Sequence, residues 1–223
     1  TMAVLIDHPN MSFHVVRREG ETFVPSIKTA IVGQSAVGKT SVLLRATRDT
    51  FTEFQVPTIG ASFLTKSTKR VEWALWDTAG QERHRSLAPL FYRDALVCII
   101  MFDVTNARSF ADAKSWYEEL SRKGREDVVL VLVGNKRDME SRRAVKTEEA
   151  AAYARESGML FIETSAKSGE NVEELFTLIE EALPSYILSP ETQDPWGEGN
   201  KLFVLPDDVV ARERRRGGVC SWC

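Results

Sequence analysis

Residues 33–40, with the sequence GQSAVGKT, constrain the fold of this chain more than any other feature. They follow an apolar run, residues 27–32, that predicts a buried strand, and they precede residues 41–46, which predict the first turns of a helix. The two glycines allow a tight turn, so that consecutive backbone N–H groups and the positive helix end point at one bound phosphate. This strand, loop and helix therefore predict a phosphate-binding loop.

Two side chains of this loop suit the chemistry of a nucleotide phosphate. Lys39 adds a point charge for the outer phosphates, and the Thr40 hydroxyl is a hard oxygen ligand for Mg²⁺. We expect the loop as a whole to bind the phosphates through Ser35, Ala36, Val37, Gly38, Lys39, Thr40 and Ser41.

Composition limits the class of protein. At 223 residues, 43% of them hydrophobic and 27% charged, the chain is long enough for one sizeable core. A net charge of −3 gives no electrostatic reason to expect nucleic acid as a partner. The three cysteines do not form the framework of a disulfide-rich domain, which favours a reducing compartment.

Apolar runs alternate with helical patterns along most of the chain. Strands are predicted at residues 27–32, 61–66, 71–76, 96–102, 128–133 and 159–162, and later helices at residues 109–123, 147–156 and 172–188. The runs at 96–102 and 128–133 are apolar throughout, as strands covered on both faces are. The pattern predicts an α/β fold of the P-loop NTPase type: a six-stranded, mostly parallel, doubly wound sheet with one antiparallel edge strand and about five helices.

This pattern also divides the chain. We expect a flexible N-terminal extension over residues 1–25, one domain over residues 26–188, and a variable C-terminal tail over residues 189–223. No apolar run approaches the length of a membrane span or of a signal-peptide core.

Polar loops follow three predicted strands at their carboxyl ends, at residues 77–81, 135–138 and 163–167, where open α/β sheets bind ligands. In the first, residues 77–81, Asp77 is suited to support Mg²⁺ and Gly80 lets the backbone approach a phosphate closely. In the second, residues 135–138, the Asp138 carboxylate suits the paired N–H donors of guanine, which adenine lacks. Asn135 would satisfy neighbouring polar groups, and the Lys136 stem would lie along the purine face.

Taken in order, these segments resemble a small GTPase of the Ras superfamily, and within it a Rab protein. The resemblance covers about residues 26–188 and rests on the phosphate loop, Thr58, DTAGQ at 77–81, NKRD at 135–138 and SAK at 165–167. Residues 62–66, 85–89 and 160–167 are most similar to the early-endosomal Rab subfamily.

The resemblance implies GTP or GDP and Mg²⁺ as ligands and gives each residue a role. Lys39 would contact the outer phosphates, Thr40 and Thr58 would ligate Mg²⁺, Asp77 would hold the metal's shell, and Gln81 would orient the attacking water. Gly80 would sense the γ-phosphate and Phe51 would edge the purine. Asn135, Lys136 and Asp138 would read the base, over which Ser165, Ala166 and Lys167 would close.

It also implies a molecular switch that regulates vesicle trafficking, with an exchange factor, a GTPase-activating protein, a GDP-dissociation inhibitor or escort protein, and effectors as partners. Effectors would contact Phe63, Trp76 and Phe91. The protein would be monomeric and cycle between cytosol and the cytoplasmic face of endosomal membranes. Three departures from the family pattern affect partner choice: His84 replaces an aromatic residue, Phe91 replaces a frequent tyrosine, and the turn at 67–70 is short.

Two alternatives stay open. A pseudo-GTPase scaffold would bind nucleotide without significant hydrolysis, although Thr58 and Gln81 are both present. At the C-terminus, Cys220 and Cys223 resemble prenylation sites, and either both carry geranylgeranyl chains or Cys220 alone carries one.

Overall fold

The computed structural model describes residues 13–16, 24–80 and 87–188, and of residues 13–16 only the backbone. Its strands are β1 (Phe13–Val16), β2 (Val24–Val32), β3 (Ala61–Ser67), β4 (Glu72–Thr78), β5 (Val97–Asp103), β6 (Val129–Asn135) and β7 (Leu160–Glu163). Its α-helices are α1 (Lys39–Arg48), α2 (Pro89–Tyr92), α3 (Ala107–Lys123), α4 (Thr147–Glu156), α5 (Val172–Ala182) and α6 (Ser185–Leu188). A 3₁₀ helix spans Arg137–Arg142.

The strands form one sheet in the order β3-β4-β2-β5-β6-β7. Strand β3 pairs antiparallel with β4 at one edge, and the other neighbours along this path are parallel. Helices α1 and α5 cover one face of the sheet, and helices α3 and α4 cover the other. The predicted doubly wound sheet with its antiparallel edge strand is confirmed.

Strand β1 adds a further strand to this path. It pairs antiparallel with β2, with Phe13 opposite Ile27 and Val16 opposite Val24. Within β2, residues Thr29–Val32 pair with β5, so the earlier residues of β2 extend past β5 and accept another strand on that side. Four residues within the predicted N-terminal extension therefore pair with the sheet. The three domain boundaries themselves stay predictions.

The core occupies both faces of the sheet. All seven residues of β5 are buried, and alternate ones face opposite helical layers: Ile99 and Met101 pack towards α1 and α5, and Cys98 and Ile100 towards α3 and α4. This agrees with the continuous apolar run that predicted a central strand. The Cys98 thiol is fully buried, and burial raises its pKa to about 12.

Helix ends differ from the prediction at two places. Helix α3 begins two residues earlier than the predicted Ser109, because the Asn106 side chain caps it by accepting from the backbone N–H groups of Arg108 and Ser109. Helix α4 has the predicted bounds, but Thr147, a residue type typical of a helix cap, is its first helical residue, and its hydroxyl donates to Glu163 at 3.1 Å. The predicted helix at 172–188 is split into α5 and α6, because Pro184 favours an extended residue before it and Leu183 has ψ 140°.

No helix among the described residues is long and apolar enough to cross a lipid bilayer.

Candidate nucleotide-binding site

A cavity of about 440 Å³ opens at the carboxyl edge of the sheet. Of the residues predicted to bind nucleotide, those that line it are Ser35, Ala36, Gly38, Lys39, Thr40, Ser41, Phe51, Thr58, Gly80, Asn135, Lys136, Asp138, Ala166 and Lys167. Val37, Asp77 and Ser165 are buried and hydrogen-bonded to residues of this lining. The structure thus brings together loops that lie more than 130 positions apart in the sequence.

Backbone geometry shapes the phosphate loop. Gly38 has φ 97° and precedes the first residue of α1, and a Cβ at this position would overlap the Asn135 amide. A side chain at residue 38 would therefore strain the backbone and would also displace the loop at residues 135–138. The requirement for glycine here couples the phosphate loop to the loop that contains Asn135.

Lys39 lies across the mouth of the phosphate loop. Its ammonium donates to the carbonyls of Gly33 at 2.8 Å and Gln34 at 2.9 Å, and the side chain is buried. Burial lowers its pKa to about 8, although the nearby carboxylates of Asp77 and Asp112 oppose this. The negative charge of a bound phosphate would favour the protonated form further.

The hydroxyls of two threonines and one carboxylate form a hydrogen-bonded cluster near Lys39: those of Thr40, Thr58 and Asp77. The Thr40 hydroxyl donates to Asp77 Oδ2 at 2.6 Å, the Thr58 hydroxyl donates to the same oxygen at 3.2 Å, and the two hydroxyl oxygens are 3.0 Å apart. Burial raises the pKa of Asp77. The hydrogen bond from Thr40 and the positive charge of Lys39 act in the opposite direction and lower it.

The surroundings of the second oxygen of this carboxylate show whether the residues fit a metal ion. Among the described residues, Asp77 Oδ1 is buried and has no hydrogen-bond partner, which is costly for a carboxylate. One carboxylate with two hydroxyls is a donor set that suits Mg²⁺, which takes hard oxygen ligands and keeps several waters and substrate phosphates in its shell. The residues present therefore fit Mg²⁺.

Gly80 brings the segment that follows β4 against the phosphate loop. A Cβ on Gly80 would overlap the Lys39 ammonium and the Ser35 backbone nitrogen. The residue before it, Ala79, donates its N–H to the Gly60 carbonyl at 2.8 Å. This bond joins the segment after β4 to the segment that carries Thr58.

On the base side, Asn135 connects three loops. Its Nδ2 donates to the Val37 carbonyl at 2.8 Å, and its Oδ1 accepts from Ala166 N at 3.2 Å and Thr164 Oγ1 at 3.3 Å. Asn135 therefore satisfies neighbouring polar groups, as its position in the sequence indicates.

The Asp138 carboxylate is oriented by Ser165, whose hydroxyl donates to Asp138 Oδ1 at 2.6 Å. Lys136 has a left-handed backbone, with φ 68°, and its ammonium lies 2.6 Å from Asp103 Oδ2. Sequence reasoning missed Asp103; the signal for it is an acidic residue that ends an apolar strand.

The predicted effector-contact residues form an aromatic cluster away from the cavity lining. The ring centroids of Phe63 and Trp76 are 5.1 Å apart, and those of Trp76 and Phe91 are 5.5 Å apart. Phe63 is 52% exposed. Gln81, Cys220 and Cys223 lie outside the described residues.

A cavity with phosphate-loop residues at one end and an oriented carboxylate at the other defines a nucleotide-binding protein of the P-loop class. The model of the Ras family matches residues 28–185, and the chain belongs to this family. It is 49% identical over 163 residues to the GTP-binding protein ypt5 of Schizosaccharomyces pombe, an alignment that covers 70% of this chain and 77% of that protein. These findings confirm the recognition of the chain as a small GTPase of the Ras superfamily.

Proposed function

We propose that this protein is a Rab-type switch that binds GTP and GDP, hydrolyses GTP and regulates vesicle trafficking on the endocytic route. The observation that carries the proposal is that the phosphate loop and the loop from Asn135 to Asp138 line the same cavity. The identity of 49% with a GTP-binding relative supports it.

Guanine selectivity would come from Asp138. Ser165 fixes one carboxylate oxygen and thereby orients the group towards the cavity. A carboxylate there accepts the two neighbouring N–H donors of guanine, whereas adenine would leave it without a pair.

The phosphate end would bind GTP through the Lys39 ammonium and the N–H groups of the loop, with Thr40, Thr58 and Asp77 holding Mg²⁺. The metal would supply positive charge at the outer phosphates. Gln81 would position the attacking water. The phosphate loop contains no arginine, so intrinsic hydrolysis would be slow and a GTPase-activating protein would supply the missing charge, an effect of about 10³ to 10⁵ in related enzymes.

The switch would lie in the two segments joined by the Ala79 to Gly60 hydrogen bond. GTP would order both segments through its γ-phosphate, and hydrolysis would release them. The cluster of Phe63, Trp76 and Phe91 would then present a GTP-dependent surface to effectors. An exchange factor and a dissociation inhibitor or escort protein would complete the cycle, on endosomal membranes and in the cytosol.

Nucleotide released from the denatured, purified protein tests the proposal, together with single-turnover hydrolysis of bound GTP. We expect guanine nucleotide at close to one equivalent and slow conversion of GTP to GDP. Retained GTP that is never hydrolysed, alone or with an activating protein, would instead show a pseudo-GTPase scaffold. ATP, or no nucleotide from a folded preparation, would overturn the proposal.

A further inference from the structure

Arg45, in the last turn of α1, spans the distance between two loops at the base end of the cavity. Its Nε donates to the Ala166 carbonyl at 3.0 Å, and one terminal nitrogen donates to the Lys167 carbonyl at 3.1 Å. The other terminal nitrogen donates to Asp49, at 2.7 Å to Oδ1 and 3.2 Å to the carbonyl. The Arg45 side chain is 18% exposed.

Ala166 and Lys167 belong to the cavity lining, so this contact reaches the site itself. The Ala166 N–H is held by Asn135, and the carbonyls of Ala166 and Lys167 are held by Arg45. A guanidinium presents its donors in a rigid plane and loses little freedom for each bond it forms. The loop is thus fixed from two sides: Asn135 holds it from the end of β6, and Arg45 holds it from α1.

The other end of Arg45 reaches the segment that follows the helix. Asp49 ends α1 with a left-handed backbone, φ 51°, and Phe51, two residues further, lines the cavity. The Asp49 side chain is 90% exposed, so its ion pair with Arg45 is screened by solvent and weak. The carbonyl contacts with Ala166 and Lys167 are therefore the stronger half of the bridge.

We propose that Arg45 is a positioning residue that holds the loop at residues 165–167 closed over the nucleotide base and thereby sets the rate of nucleotide dissociation. The inference rests on the proposed guanine-nucleotide binding. Arg45 is not among the residues that line the cavity and its contacts are with two loop carbonyls, so it would act through the loop backbone.

The direct test is the dissociation rate of bound GDP and GTP, measured by chase with excess unlabelled nucleotide. Arg45→Ala removes two charge-assisted hydrogen bonds to the loop, and we expect both dissociation rates to rise roughly ten- to a hundredfold. The factor should be the same for GDP and GTP because both share the base. Arg45→Lys keeps a single charged donor and should give an intermediate rate.

Three control variants separate positioning from general loss of stability. Arg48→Ala removes an exposed arginine of the same helical turn and should leave both rates unchanged. Asp49→Asn removes the charge at the exposed end of the bridge, keeps a residue type that tolerates the left-handed backbone, and should raise the rates by less than Arg45→Ala. Lys66→Met removes contacts of β3 with Ala46 and Glu173, neither of which lines the cavity, so it should lower stability without speeding dissociation.

Hydrogen exchange gives a readout that does not depend on the nucleotide chase. Peptides that cover residues 164–169 should exchange faster in Arg45→Ala, and peptides from β5 should not. If Arg45→Ala does not fold, Arg45→Gln, which has a shorter neutral donor, takes its place in both measurements.

Unchanged dissociation rates in folded Arg45→Ala or Arg45→Gln would overturn the inference, as would an equal increase in Lys66→Met. These results would leave the proposed function standing, because the wild type would still retain guanine nucleotide. A wild type that retains none would instead refute the proposed function.

Discussion

At the scale of single residues, the Thr40 hydroxyl shares one carboxylate oxygen with Thr58. Within the described part of the chain, Asp77 Oδ1 is buried without a hydrogen-bond partner, and the three groups would supply part of the shell of the proposed Mg²⁺. Substitution of one of these ligands would affect the metal first and the nucleotide through the metal.

We expect Thr40→Asn to weaken GTP binding on the order of tenfold more than GDP binding. The γ-phosphate depends more on the charge of Mg²⁺ than the two phosphates of GDP do. Competition binding in the presence of Mg²⁺ measures the two affinities. Thr47→Asn, in the same helix, is the matched control, because the Thr47 hydroxyl donates to the Leu43 carbonyl at 2.7 Å and Thr47 is not among the residues that line the cavity. Equal losses for both nucleotides would refute the ligand role.

Gln81→Leu should keep nucleotide binding and remove the positioning of water. We expect hydrolysis stimulated by a matched activating protein to fall by at least about two orders of magnitude, so that the protein stays in the GTP-bound form. Single-turnover hydrolysis with and without the activating protein is the measurement. A variant that hydrolyses GTP at the wild-type rate would show that Gln81 has no catalytic part.

The sequence reveals the residues of the site better than their connections. Asn135 and Asp138 stand out because an amide and a carboxylate follow an apolar strand. The ion pair of Lys136 with Asp103 cannot be read from the sequence, because it depends on β5 lying parallel to β6 with Asp103 opposite Asn135. Arg45 is likewise hidden: its partners, Ala166 and Lys167, contribute backbone carbonyls, which every residue has.

At the scale of elements, the β3 to β4 hairpin is fastened to the helical layer at two points. The Lys66 ammonium donates to the Ala46 carbonyl and to Glu173, both at 2.9 Å, and lies 5.4 Å from the centre of the Phe176 ring. Near the turn, the Thr68 hydroxyl donates to the buried Glu180 at 2.8 Å. The short turn is thereby held against α5.

Lys66→Met keeps most of the side-chain stem and removes the ammonium. We expect the free energy of unfolding to fall by about 1–2 kcal/mol, because the Ala46 carbonyl loses a charged donor in a partly buried position. Urea denaturation measures the change. Lys69→Met, on the exposed part of the turn, is the control and should change stability by less than about 0.5 kcal/mol. A loss of the same size in both variants would mean that the contacts of Lys66 contribute nothing.

Regular elements are predicted well wherever a continuous apolar run or a helical stripe is present. The bounds of α4 are predicted correctly, and the predicted strands overlap β2 to β7 with differences of only a few residues at each end. Strand β1 is missed because its four residues are too few to show a period, and its pairing depends on how far β2 extends past β5. The end of α5 is missed because the apolar stripe continues through Leu183, although Pro184 stops the helix.

At the scale of the whole molecule, attachment to a membrane would depend on residues outside the described part of the chain. Cys220 and Cys223 are the predicted lipid sites, with Arg212, Arg214, Arg215 and Arg216 just before them. One lipid chain gives reversible attachment, whereas a second chain or a basic patch makes it stable. Each arginine near an anionic leaflet contributes roughly 1 kcal/mol.

We predict lipid on both cysteines and membrane residence that survives the loss of either one. Intact masses of membrane-recovered wild type, Cys220→Ser and Cys223→Ser distinguish two chains from a single chain on Cys220. An unmodified mass for wild type recovered from membranes would refute lipidation altogether.

Burial protects the thiol of Cys98, the one cysteine of the described residues, from alkylating reagents. Its thiol is at 0% exposure and its pKa is about 12, so almost no thiolate forms there at neutral pH. A short maleimide reaction on the native protein would therefore count only the two cysteines close to the C-terminus. Each blocked cysteine would lower that count by one, and denaturation would add Cys98 back as an internal standard for the same sample.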